Sequence, residues 1–113
     1  MPKDLTINYL ELPVTDVAVA KRFYGQVFGW TFEDYGPDYA SFRDGRMDGG
    51  FRKETAVITG GPLVVIYARA LEAVEQAIGA AGGKIARPIF SFPGGRRFHF
   101  HDPSGNELAV WSE

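Results

Sequence analysis

The two halves of the chain repeat one order of elements, and this repetition limits the fold more than any other feature. The first half runs from Ile7-Asn8-Tyr9-Leu10-Glu11-Leu12 through a helical stretch, Asp16 to Phe28, to Phe28-Gly29-Trp30. The second half starts again with Leu63-Val64-Val65-Ile66-Tyr67, a helical stretch from Leu71 to Ala81, and the exit Gly82-Gly83-Lys84. It closes on Phe98-His99-Phe100-His101 and Asp102-Pro103-Ser104-Gly105-Asn106-Glu107. Two half-length copies of one supersecondary unit imply a pocket between them.

Periodicity supplies the elements. Residues 5–12 alternate and stop at Pro13, so they read as a strand with Leu10 and Leu12 on one face and Tyr9 and Glu11 on the other. Thr15-Asp16 offers an N-cap, and Val17, Ala20, Phe23, Tyr24, Val27 and Phe28 recur at helical spacing up to the stop at Gly29. Short strands follow at 30–35, 39–43 and 47–51, with turns at Gly36-Pro37-Asp38 and Asp44-Gly45-Arg46. Residues 54–62 read as a linker. Beyond it come a strand at 63–68, a helix with Leu71, Val74, Ala77, Ile78 and Ala81 inward, and strands at 88–92, 97–101 and 108–111. The order is β-α-β-β-β twice: one domain over 1–113, with module one about 5–53 and module two about 63–113.

Composition narrows the function classes. A chain of 113 residues buries roughly two thirds of its unfolded surface. Net charge is −2, which leaves no electrostatic footprint for nucleic acid or an anionic membrane. There is no cysteine, hence no disulfide, thiolate metal site or cysteine nucleophile. No apolar run approaches the ~20 residues of a membrane span, and no apolar signal segment opens the chain. The expectation is a cytoplasmic protein.

Three fragments, in this order and spacing, resemble the vicinal oxygen chelate superfamily of glyoxalase I, bleomycin-resistance proteins, fosfomycin-resistance enzymes and extradiol dioxygenases. They are Leu12-Pro13-Val14-Thr15-Asp16 leading to Phe23-Tyr24, then Phe28-Gly29-Trp30, then Asp102-Pro103-Ser104-Gly105-Asn106. The resemblance covers essentially the whole chain. It implies an α+β fold of two βαβββ modules: an incompletely closed eight-stranded mixed sheet around a cleft, with helices outside. It also implies a homodimer.

Metal-dependent members of that superfamily carry ligands at four places. The first falls on Tyr9, seven residues before Asp16, and the last on Ala109, seven after Asp102. The others fall near Leu63 and near Gly49-Gly50-Phe51. A divalent ion needs several converging O or N donors, and none of these side chains is a metal-ligand type. No metal site and no cofactor are expected.

Strand parity lists what faces the cleft instead. Leu108 and Val110 pack under the helices, so Glu107, Ala109 and Trp111 face the cleft. Phe98 and Phe100 read as core, which turns His99 and His101 to the cleft. Tyr9 and Glu11 join from the first strand, and Leu63, Val65 and Tyr67 from the second module. The candidate ligand-binding set is therefore Tyr9, Glu11, Tyr67, His99, His101, Glu107 and Trp111. Aromatic walls with a few polar groups suit a small organic ligand. The i, i+2 pair His99 and His101 reads either as pocket lining or, with Glu11 or Glu107, as a displaced chelating site. Phe23, Tyr24 and Phe28 read as core, and Trp30 as a cap on the barrel. Gly94-Gly95-Arg96-Arg97 lacks the following helix that a phosphate loop requires. Two functions remain open. One is metal-free binding of an aromatic or amphipathic molecule. The other is a lyase, transferase or dioxygenase using a displaced metal or acid–base chemistry from His99 with Glu11 or Glu107.

Overall fold

The computed structural model describes residues 2–113. Module one consists of β1 (Tyr9–Val14), α1 (Val17–Phe28), β2 (Thr31–Asp34), β3 (Tyr39–Arg43) and β4 (Asp48–Lys53). Module two repeats it with β5 (Val64–Tyr67), α2 (Leu71–Ala80), β6 (Lys84–Phe92), β7 (Gly95–His101) and β8 (Glu107–Ser112). Residues 54–63 form neither helix nor strand. Among the described residues, eight strands make two mixed four-stranded sheets, ordered β1-β4-β3-β2 and β5-β8-β7-β6, with no hydrogen-bonded ladder between them. None of the described helices is long and apolar enough to cross a membrane.

Local chemistry sets the helix ends. Asp16 caps α1 by accepting from the Val19 N–H at 3.1 Å, and Gly29 ends it at φ 73°. At the exit of α2, a Cβ on Gly83 would lie 2.6 Å from the Ile78 side chain and 3.0 Å from Phe23. Only glycine lets the chain leave this helix so close to the first module.

Two strand starts differ most from the sequence reading. β1 begins at Tyr9 rather than at residue 5 and continues through Pro13 to Val14. Its one partner, β4, starts opposite Tyr9 at Asp48, so the residues before it have nothing to pair with. β1 is an edge strand, where a proline is tolerated because its missing N–H interrupts no ladder. β6 begins at Lys84, not Pro88; Pro88 sits in a register irregularity between Arg87 and Phe90 on another edge strand.

One core serves both modules. Trp30 is buried in it, not a cap: its ring stacks on Tyr24 at 4.7 Å and on Phe42 at 4.6 Å. Phe23 and Phe28 of α1 reach Phe100 of β7 at 6.1 and 6.0 Å. Leu71 and Ile78 of α2, with Phe98, Leu108 and Val110, complete the buried cluster.

The turn at 102–106 fastens the modules together. Asp102 Oδ1 accepts from the Ser104 and Asn106 N–H groups, both at 2.9 Å. Its Oδ2 accepts from the Tyr24 hydroxyl at 2.8 Å. Asn106 Nδ2 donates to the Pro13 carbonyl at 2.7 Å, and Ser104 Oγ accepts from the Thr15 N–H at 2.9 Å. Each partner outside the turn lies in module one.

Candidate functional site

Each sheet has one face on the core and one open face. On sheet one the open face follows the row Glu11, Gly50, Ser41, Glu33. Tyr9 and Glu11 stand on it, as parity requires. The hydroxyls of Tyr9 and Tyr39 are hydrogen-bonded to each other, and Tyr39 donates to Glu11 Oε2 at 3.0 Å. Arg52 closes the group, 3.4 Å from Glu11 Oε1 and 3.1 Å from Glu54 Oε2. A Cβ on Gly50 would collide with both tyrosine hydroxyls, so glycine makes room for them. Burial, then the bonds to Tyr9 and Glu11, push the Tyr39 phenol well above its ordinary range. It stays a neutral donor.

Sheet two carries an aromatic open face. One row across its four strands is Tyr67, Trp111, Arg97, Phe90; the next is Val65, Ala109, His99, Arg87. Trp111 meets Tyr67 edge-on at 5.1 Å and Phe92 at 6.3 Å. Val65 and Tyr67 remain 44% and 47% exposed, unusual for apolar and aromatic side chains in mid-strand. A groove of about 330 Å³ runs along this face, lined by Val65, Phe92, Gly94, Arg97 and Trp111.

His99 is the most enclosed polar group of that face, only 8% exposed. Its Nδ1 lies 2.8 Å from Glu107 Oε2, while its Nε2 is buried without a partner. In the neutral imidazole, a carboxylate at Nδ1 fixes the proton there and leaves Nε2 as an acceptor. His101 Nε2 lies 3.8 Å from the other Glu107 oxygen. The three residues border a pocket of about 430 Å³ walled by Leu12, Ile58 and Leu63.

Within one chain, the seven candidates form two groups. Tyr9 and Glu11 join Tyr39 and Arg52 on sheet one, whereas Tyr67, His99, His101, Glu107 and Trp111 share the face of sheet two. Among the described residues, the side-chain hydrogen bonds and ring contacts of each group stay within its own module. A groove of about 710 Å³ between the modules takes Tyr67 and Trp111, facing Leu10, Trp30, Phe42 and Met47.

Residues 6–110 match the family model described as the Glyoxalase/Bleomycin resistance protein/Dioxygenase superfamily. The chain belongs to this superfamily. Its fold is also that of a glyoxalase-related enzyme from Fulvimarina pelagi: TM-score 0.81, 22% identity, 96% of this chain and 88% of that one covered. TioX from Micromonospora sp. ML1 aligns with a TM-score of 0.73 and 21% identity over 95% of this chain and 98% of its own. The fosfomycin resistance protein FosX from Listeria monocytogenes, solved as a mutant with Mn(II) and 1S,2S-dihydroxypropylphosphonic acid, gives a TM-score of 0.83 at 13% identity, over 97% and 91%. At these identities the likeness establishes fold alone. No curated protein sequence matches the chain significantly.

The metal of the superfamily does not fit the residues present. Tyr9 is engaged with Tyr39, and Ala109 stands in register between Val65 and His99 with no donor in that row but His99. His99 Nδ1 is already committed to Glu107. Among the described residues, no three His, Asp or Glu side chains converge closely enough to hold an ion.

The sequence reading missed Tyr39, Arg52, Phe92 and Arg97. Tyr39 was within reach of parity: Ala40 and Phe42 are core, so Tyr39 and Ser41 face outward. Arg97 was as well, since it shares the parity of His99 on β7. Arg52 needed the pairing of β4 with β1, which alternation within a strand does not contain.

Proposed function

We propose that this protein binds a small aromatic or amphipathic organic molecule, in the manner of the glyoxalase/bleomycin-resistance type, without a metal. One observation carries the reading. The face of sheet two offers Tyr67, Trp111, Phe92 and Val65 as an uncovered apolar floor bordered by grooves of ligand size. Such a patch on a small protein marks an interaction site. The working form is a cytoplasmic homodimer, in which a second copy covers the open sheet faces and brings the Tyr9–Glu11 group toward a site of this kind. The test is a tryptophan fluorescence titration with 2-naphthylmethanol. A Trp30→Phe variant leaves Trp111 as the reporter, since the chain holds two tryptophans. Saturable quenching supports the reading; no change up to the solubility limit contradicts it.

A second reading rests on His99. A buried imidazole, oriented by Glu107 and with a free Nε2, is built as a general base. Its probe is deuterium exchange at the α-carbon of phenylacetone in D₂O. Catalysis lost in His99→Gln favours an enzyme, and exchange at the buffer rate removes this reading.

A further inference from the structure

We propose that the open face of sheet two selects an aromatic carboxylate, the carboxylate on Arg97 and the ring on the floor made by Trp111 and Phe92. The inference rests on the ligand-binding reading and names the class of ligand.

Neighbouring arginines on β7 make the contrast. Arg96 points to the helix side and holds Glu72 through two hydrogen bonds, at 2.6 and 3.2 Å. Arg97, one residue on, points to the open face. Among the described residues it has no carboxylate within ion-pair distance, and neither has Arg87. The acids of that face are already engaged: Glu107 holds His99, and Glu113 accepts from the Tyr67 hydroxyl at 3.0 Å.

Both free guanidinium groups lie against rings. Arg87 Cζ sits 3.7 Å over the Phe90 centroid, and Arg97 Cζ lies 5.4 Å from Phe90 and 5.8 Å from Phe92. At 3.7 Å Arg87 is stacked on its ring, and Arg97 stands within cation–π range of two rings, a contact that leaves guanidinium N–H donors for a planar anion. Arg97 Nε is moreover buried without a hydrogen-bond partner, an unsatisfied donor beneath the groove. The rest of the groove, Val65, Phe92, Gly94 and Trp111, is apolar apart from backbone. A bare inorganic anion would lose its hydration there with one side-chain cation to replace it. A flat apolar body with one anionic end satisfies both parts.

The test compares three probes of one shape: 2-naphthoate, 2-naphthylmethanol and 2-naphthylmethylammonium, titrated against Trp111 fluorescence. The expected order is the carboxylate tightest, by about tenfold or more over the neutral alcohol, as a charge-assisted bidentate pair supplies. In Arg97→Gln the ratio of carboxylate to alcohol affinity falls to near one, and Arg97→Lys restores part of it. Thermal melts identify folded variants, and Arg87→Gln, an exposed charge deletion outside the groove lining, leaves the ratio largely unchanged. Equal affinities for the three probes, or a carboxylate preference that survives Arg97→Gln, overturn the inference while the aromatic site stands. Loss of dimer in Arg97→Gln together with no carboxylate preference would assign Arg97 to a partner's acidic face instead, and also overturns it. If none of the probes quenches Trp111, the ligand-binding reading itself falls.

Discussion

The hydroxyl of Tyr24, on the helix of module one, donates to the carboxylate of Asp102 in the last turn of module two, 2.8 Å away across 78 residues of chain. Both groups are buried. Burial raises the Tyr24 pKa well above its ordinary value, and the Asp102 charge and hydrogen bond add to it. The unfolded chain ionises this phenol near pH 10, so the bond contributes fully below that pH. Its contribution declines as pH climbs from there toward the raised native value. Tyr24→Phe should cost about 1–3 kcal/mol at neutral pH by leaving the carboxylate one donor short. Denaturant melts from pH 7 to 11 should show a shallower alkaline loss in the variant than in the wild type. Parallel curves would show that the pair does not tie the modules.

Gly50 is the spacer beneath the Tyr9–Tyr39 pair. Gly50→Ala should displace both hydroxyls and destabilise by about 1–3 kcal/mol, the usual range for overpacking. In a Tyr39→Ala background the same substitution should cost less, because its main obstacle is gone. Additive losses in that double-mutant cycle would place the tyrosines elsewhere.

Metal content follows from the donor set. Protein purified without added metal should carry far less than one equivalent of Zn, Ni, Mn or Fe by elemental analysis. Stoichiometric metal that disappears in His99→Ala would revive a displaced-site enzyme.

Assembly follows from the two open sheet faces. Light scattering at tens of micromolar protein should report a homodimer. A monomer would leave the Tyr9–Glu11 group without a second wall and count against a shared cleft.

Alternation within single strands was legible in the sequence and gave the sheet face on which each candidate side chain stands. Leu108 and Val110 go under α2, which turns Glu107, Ala109 and Trp111 the other way, and Phe98 and Phe100 fix His99 in the same manner. The caps of α1 were equally legible, because Asp16 and Gly29 act through local backbone geometry. Pairing between distant strands was not. Arg52 meets Glu11 only because β4 lies parallel to β1, and β1 starts at Tyr9 only because β4 starts opposite it. The turn at 102–106 stood in the sequence as one of the three fragments that carry the family resemblance. Its side chains turn out to bind Tyr24, Pro13 and Thr15, which no local pattern encodes.

Trp111 decides the central claim. Its ring lies between Tyr67 and Phe92 on the open face, so it either receives a ligand or merely packs the C-terminal strand. The measurement is the affinity of a quenching aromatic probe for Trp111→Ala, read by calorimetry beside the thermal melt. A stacked ring adds about 0.5–1.5 kcal/mol beyond area burial, so affinity should fall by roughly tenfold or more while the melting temperature holds. A lowered melting temperature with unchanged affinity in the folded variant would contradict the account.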